Sequence, residues 1–404
     1  MNEGYLVKDI GMSADGQIKI DWVSSFMKVL NGLSDRYSTD GIFKGKKISL
    51  CIHLEAKTAH FAMVLKKLGA EVWVTGSTSL STKDDVCAAL ANNGIHVYAL
   101  HGATEDELKS YIHSIVEKKP HAVVDDGGDL CEYLHQYPEY GMNLRGICEE
   151  TTSGVARLKQ KYAEKKLRYP AIAINDAKSK YLFDNRYGTG QSTWAAIMHL
   201  TNITVTGKTV VSIGYGWVGR GVAMRAAGLG ADIIVVEKDP WKALEAKMDG
   251  FRVMPLKEAS AQGDFFITST GAPDVLRTEH FRLMKDGAFL ANAGHFEYEI
   301  DVKALYQMAR AVKNVRDEVE EIVCDGDKRL YLLARGGIIN IAGGLGHPIE
   351  IMDMSFSLQL ASLHHILSTE NLENKVYQVP KEIDELIVLE KLRVEGIEIE
   401  PNGV

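Results

Sequence analysis

Residues 208–224 read KTVVSIGYGWVGRGVAM, and this stretch decides the fold. A short β-branched apolar run, long enough for one buried strand, ends at Gly214 and gives way to a helical pattern rich in small residues. Gly214, Gly216 and Gly219 form G-x-G-x-x-G at the junction, with Tyr215, Trp217 and Val218 between them. Glycine permits the tight turn and lets backbone approach a pyrophosphate, which the positive end of the following helix then faces. Taken alone, such a motif also serves simply to pack strand on helix. Here DIIVVE (232–237) adds a second strand ending in Glu237, where an acid receives a free ribose 2′-hydroxyl and repels a 2′-phosphate. The expected cofactor is NAD rather than NADP, a preference tempered by Lys238 and Lys242.

Outward from this motif, GVAMRAAGLGA, a helix starting near Pro240, FFITST and GAFLANAG extend the alternation, so residues 192–348 are expected to form a Rossmann domain. Upstream, KISLCIHL, EVWVTG, HVYAL and HAVVDDGG alternate with AHFAMVLKKLGA, DDVCAALANNG and DELKSYIHSIVEKK. That is a second α/β pattern with a parallel sheet, assigned to residues 1–182. The helical run SFSLQLASLHHILSTEN suggests that 349–379 return to this domain, with 380–404 as a short C-terminal extension. The fold class is therefore α/β, with a Rossmann-type NAD domain inserted in a second, parallel-sheet substrate domain. Residues 183–191, polar, aromatic and glycine-containing, read as a hinge, with Ser192 or Thr193 capping the next helix.

The chain has 404 residues, enough for two cores, and 46% hydrophobic with 25% charged residues is a globular composition. A net charge of -8 argues against a nucleic-acid footprint. No apolar run has spanning length and the opening MNEGYLVKDI has no leader pattern, so the expectation is a cytoplasmic protein with no membrane partner. Cys51, Cys87, Cys131, Cys148 and Cys324 show no metal or disulfide spacing, so buried free thiols and no metal site are expected.

A simple dehydrogenase needs one acid/base group beside its nucleotide, yet ionisable residues cluster before the Rossmann unit. His53, the pair Asp125 and Asp126, and the pair Glu149 and Glu150 each stand where a parallel sheet opens its carboxyl edge. Each has a structural competitor. DDGGD with Asp129 reads also as a solvated turn, the glutamates as first-turn acids of a helix capped by Thr151 or Thr152, and Lys180 with Asp184 as a surface i,i+4 pair. Asn175, Asp176, Asp184 and Asn185 crowd one short segment; His295 follows NAG and His347 sits in GGLGHP, each competing with a plain core histidine.

CIHLEAKTA, LSTKDD, DDGGDL, EETTSGV, KYLFDNRYGTGQSTW, VSIGYGWVGRG, EKDP, TSTG, NAGHF and NIAGGLGHP, in that order, resemble the adenosylhomocysteinase family across nearly the whole chain. The hinge is most similar to the short archaeal and thermophile-type branch. The resemblance implies reversible hydrolysis of S-adenosyl-L-homocysteine to adenosine and L-homocysteine, a step of the methyl cycle. In the family NAD oxidises the ribose 3′-hydroxyl, C4′ is deprotonated, the thiolate is eliminated, water adds and the ketone is reduced again. Three separate proton transfers require several positioned acids and bases.

Block by block, the resemblance implies catalytic roles for His53, Asp126, Lys180, Asp184 and His295. Lys180 and Asp184 would serve the ribose hydroxyls, Asp126 the C4′ proton, and His53 and His295 the elimination and hydration. Substrate contacts would come from Lys180, Asp184 and His295 and from Glu55, Lys57, Thr58, Glu150, Thr151, Gly346 and His347. Cofactor contacts would come from Thr151, Thr152, Ser153, Asn185, Gly214, Tyr215, Gly216, Trp217, Val218, Gly219, Glu237, Lys242, Thr270, Gly271, Asn292, Gly294, His295 and Asn340, with Phe296 beside His295 as a gate. A homo-oligomer of two or four chains is implied.

Thr189 stands where many members carry cysteine, Thr78 and Lys83 where asparagine and glutamine are usual, and Lys57 where long members have an acid facing adenine. A lysine there suits the O6 acceptor of an inosine conjugate, which keeps S-inosylhomocysteine hydrolase as an alternative. The ending IEIEPNGV has no Lys and Tyr tail of the kind that covers a neighbour's NAD in the family, so weaker cofactor retention or different assembly is expected. A 2-hydroxy-acid dehydrogenase, which would accumulate NADH, and a non-catalytic NAD-binding relative are the remaining rivals.

Overall fold

A computed structural model describes residues 4–400. The chain forms two compact units, Met1–Tyr181 with Ile349–Val404, and Leu182–Pro348. Strands β1 (Lys47–Cys51), β2 (Glu71–Thr75), β3 (His96–Val97), β4 (Ala122–Asp125), β5 (Gly146–Glu149) and β6 (Ala171–Ala173) belong to the first unit. The second holds β7 (Thr209–Ile213), β8 (Asp232–Val236), β9 (Arg252–Val253), β10 (Phe265–Thr268), β11 (Ala288–Asn292), β12 (Ala311–Arg316), β13 (Val319–Val323) and β14 (Arg329–Leu333). A final strand, β15 (Val376–Gln378), returns to the first.

The first sheet runs β15-β6-β5-β4-β1-β2-β3, parallel throughout. Its inner strands are buried on both faces, which is why they read as unbroken apolar runs rather than alternating ones. The strand order reverses between β1 and β4, so the crevice at their carboxyl ends lies just beyond Cys51 and Asp125. The second sheet, β12-β13-β14-β11-β10-β7-β8-β9, repeats the reversal between β7 and β10 and adds the antiparallel hairpin β12–β13 at one edge. Val211, Ile213, Ile234, Phe266 and Leu290 fill one side of it, and Val210, Ile233, Phe265 and Ala291 the other.

Within the C-terminal segment the helix Lys381–Val394 buries Ile387 in the first unit, and its Asp384 accepts the Lys178 and Ser179 amides at 2.9 and 2.8 Å. One expectation needs correction: neither Ser192 nor Thr193 caps the helix after the hinge. Tyr181–Gly188 is a π-helical stretch, the α-helix Thr189–Thr201 follows at once, and the Ser192 hydroxyl bonds back to the Gly188 carbonyl at 2.7 Å. Glycine serves packing here: a Cβ on Gly190 would lie 2.5 Å from the Gly221 carbonyl carbon, and one on Gly221 would lie 1.8 Å from the Arg186 oxygen. The five cysteines are buried and free. Among the described residues no helix is long and apolar enough to cross a membrane, and the tail residues 401–404 lie outside them.

Candidate active site

The first unit gathers its ionisable groups at the reversal point of its sheet. His53 follows β1, and its Nε2 stands 3.5 Å from Asp126 Oδ2 just past β4. The opposite ring nitrogen, Nδ1, meets the Ser81 hydroxyl at 2.7 Å, and Thr78 Oγ1 backs Ser81 at 2.7 Å. A ring held at one nitrogen presents the other in a fixed direction. The Thr58 hydroxyl donates to the His53 carbonyl at 2.6 Å. Glu55 caps the helix Ala56–Lys67 and accepts from the Lys57 ammonium at 2.8 Å, so both ends of this pair are buried. Lys83 caps the helix Asp84–Asn92 through its backbone alone.

Glu150 follows β5, one strand further on. Its Oε1 lies 3.2 Å from the Lys180 ammonium and its Oε2 accepts from Gln359 at 2.6 Å. Lys180 and Asp184 are both buried, so neither is the surface residue that the i,i+4 reading assumed. Thr151 caps the helix Thr152–Ala163, as the capping alternative had it, with its hydroxyl also within 3.2 Å of Ser153 Oγ. Asp129 is exposed, opens the helix Asp129–Gln136 and pairs with Arg157. Beneath Asp126 and Glu150, Asp125 and Glu149 lie fully buried in register on adjacent strands. Burial raises both carboxyls, Asp125 to about 7, with Asp129 adding to Asp125 and Asp125 to Glu149.

In the second unit, Gly214 follows β7 at φ +99° and Gly216 precedes the helix Trp217–Gly228 with no side-chain cap. A Cβ on Gly219 would meet the Gly214 carbonyl oxygen at 2.0 Å, whereas one on Gly216 would meet nothing within 4 Å. Gly219 thus packs the turn and Gly216 leaves a cradle over the helix N-terminus. Glu237 accepts from the Tyr215 amide at 2.7 Å, which fixes its carboxylate beside that cradle, while Lys242 turns to Asp239 at 3.9 Å.

Asn292 ends β11 and is fully engaged. Its Oδ1 accepts from Thr268 and the Gly294 amide, and its Nδ2 donates to the Phe296 and Gly336 carbonyls, which shapes the loop bearing His295. The rings of His295 and Phe296 stand edge to face at 4.9 Å. Glu299, which the sequence reading missed, accepts from the Thr270 amide and hydroxyl and the Gly271 amide, and burial raises its carboxyl. Ser81, Gln359 and Glu299 lacked any spacing signal, because each acts through a distant strand or helix.

Asp184, Thr189 and His347 form a chain within this unit: Asp184 Oδ1 to His347 Nδ1 at 3.1 Å, then His347 Nε2 to Thr189 Oγ1 at 3.0 Å. Asn185 is buried next to Asp184 in sequence, and the Gly346 amide bonds the Asn340 carbonyl at 2.7 Å. Asn340 donates to Ser192 at 3.1 Å, while its buried Oδ1 meets no partner among the described residues. An orphaned acceptor, an open glycine cradle and a fixed acid together fit a dinucleotide with an amide-bearing ring.

The family model described as "S-adenosyl-L-homocysteine hydrolase, NAD binding domain" matches residues 185–346. That described as "S-adenosyl-L-homocysteine hydrolase" matches residues 4–142. The chain is 50% identical to an adenosylhomocysteinase of Pyrococcus abyssi over 98% of its own length and 94% of the relative's. It is 50% identical to an adenosylhomocysteinase of Thermotoga maritima, covering 95% and 96% of the two chains. It is 49% identical to an S-inosyl-L-homocysteine hydrolase of Methanocaldococcus jannaschii, covering 98% and 96%.

Proposed function

The chain belongs to the S-adenosyl-L-homocysteine hydrolase family, and on that premise we propose that it cleaves, reversibly, the thioether bond of S-adenosyl-L-homocysteine, giving adenosine and L-homocysteine. The observation that carries the reading is the set of buried Asp126, Glu150 and Lys180 with half-buried His53 at one sheet edge, more proton-carrying groups than a simple dehydrogenase uses. NAD is the cofactor, and Gly214, Gly216, Gly219, Glu237, Thr270, Gly271 and Asn340 would hold it. When bound, it supplies reversible oxidation of the ribose 3′-hydroxyl.

The remaining steps fall to side chains of this protein. Lys180, charge-balanced by Glu150, moves the proton at the 3′-oxygen, with Asp184 orienting the hydroxyls. Asp126 takes the C4′ proton, which an adjacent ketone acidifies. His53, aimed by Ser81, hands a proton to the departing sulfur and takes one from entering water, a task His295 shares. Thr151 and Glu150 bind ribose, and His347 the base.

The buried Lys57 ammonium beside Glu55 favours a second substrate, S-inosyl-L-homocysteine, because a purine O6 accepts from a lysine where an N6 amine cannot. We place the enzyme in the cytoplasm as a homo-oligomer of two or four chains. Trp241, Leu244 and Met248, exposed along one helix, support self-association. Purified protein given S-adenosylhomocysteine and S-inosylhomocysteine in parallel tests the reading: thiol release is expected from at least one, and the faster substrate names the base. Release from neither, with NAD present, rejects it.

A further inference from the structure

Glu149 has no part in the chemistry above, yet its carboxyl joins the two loops that carry Asp126 and Glu150. Its Oε1 accepts from the Gly127 amide at 3.0 Å, the Thr151 amide at 3.0 Å and the Thr151 hydroxyl at 2.8 Å. Gly127 directly follows Asp126, and Thr151 directly follows Glu150. The first turn of the helix Thr152–Ala163 makes room for this carboxyl with a glycine: a Cβ on Gly154 would lie 2.1 Å from both Glu149 Cδ and Oε1.

The protonation state follows from the surroundings. Glu149 is fully buried, and its Oε2 meets no hydrogen-bond partner among the described residues. Asp125, opposite it in register, uses both oxygens: Oδ1 accepts from the Asp126 and Leu130 amides and Oδ2 from the Cys131 amide. An ionised oxygen without a donor is costly to bury, and two adjacent buried charges repel. Amides meet both oxygens of Asp125 but donors meet only one of Glu149, so the negative charge belongs on Asp125 and the proton on Glu149.

We propose that Glu149 is a positioning residue, held protonated, whose single carbonyl oxygen clamps the Asp126 loop to the Glu150–Thr151 loop and so fixes the acid–base carboxylate against the ribose-binding one. The inference rests on the hydrolase reading. It separates Glu149 from ordinary core residues by what replacement does: glutamine keeps a neutral side chain with the accepting oxygen, and alanine removes the acceptor.

The test compares thiol release by wild type, Glu149→Gln and Glu149→Ala, with bound NAD measured in each. Glu149→Gln is expected within about threefold of wild type, and Glu149→Ala is expected to lose about 100-fold in kcat with a much smaller change in KM and full NAD content. If Glu149→Ala does not fold, Glu149→Asp, which keeps the acid but shortens its reach, carries the same expected kcat loss. A Glu149→Ala enzyme with normal kcat, or a Glu149→Gln enzyme as slow as Glu149→Ala, overturns the clamp. A wild type that releases no thiol from either conjugate overturns the hydrolase reading and the clamp together, whereas a competent wild type with an equally competent Glu149→Ala overturns the clamp alone.

Discussion

The Lys180 ammonium lies 3.2 Å from Glu150 Oε1, with side-chain exposures of 6% each. A buried charge is tolerable here because its partner is buried with it and Gln359 satisfies the carboxylate's other oxygen. Removing the lysine strands that carboxylate. Lys180→Ala is expected to abolish turnover and substrate-dependent reduction of bound NAD, and to cost about 3–5 kcal/mol of stability. Turnover at the normal rate would reject Lys180 as the group serving the 3′-oxygen.

The two inner glycines of the dinucleotide turn are expected to respond differently. Gly219→Ala places a methyl 2.0 Å from the Gly214 oxygen and should disrupt the turn, lowering thermal stability along with NAD affinity. Gly216→Ala meets no protein atom within 4 Å, so it should leave the melting temperature of the cofactor-free protein unchanged while weakening NAD binding. Equal losses of stability in both variants would contradict this division.

Asp184 fixes His347, and His347 in turn holds Thr189. Asp184→Asn preserves the volume but removes the carboxylate that meets His347 Nδ1. Turnover is expected to fall about 100-fold while bound NAD is retained, since the dinucleotide cradle is untouched. Cofactor loss on purification of this variant would show that Asp184 maintains the domain rather than the chemistry.

Much of the fold was legible because parallel strands buried on both faces announce themselves as apolar runs, and because Gly214, Gly216, Gly219 and Glu237 occupy one strand-turn-helix-strand segment. The helical state of Tyr181–Gly188 was not legible. Its mixed aromatic and polar composition, YLFDNRYG, reads as a loop, and only the close approach of Gly190 to Gly221 accounts for the glycine that follows it. In the site, His53, Asp126, Glu150 and Lys180 carried ordered motif signals. Ser81 and Gln359, which aim them, did not, because a supporting hydrogen bond leaves no fixed spacing in sequence.

Asp353 provides a pH-dependent check on packing in the first unit. It is fully buried, accepts the Val29 and Leu30 amides at 3.0 and 2.9 Å, and burial raises its carboxyl to about 6 despite those bonds. Because the folded value lies above the unfolded one, its contribution is fully present below about pH 4 and is lost as pH rises through about 6. The stability advantage of wild type over Asp353→Asn, measured by urea unfolding, should shrink by about 3 kcal/mol between pH 4 and 7. An advantage that grows with pH would contradict the sign.

The central claim is that NAD is used and restored within one catalytic cycle that breaks a carbon–sulfur bond. The most direct test is a single turnover of purified, NAD-loaded protein with S-adenosylhomocysteine, following reduced-nicotinamide absorbance and free thiol together. Absorbance is expected to rise, thiol to appear, and absorbance to return to its starting level as nucleoside is released. Thiol release with no transient reduction, or reduced cofactor accumulating with each turnover, would contradict it.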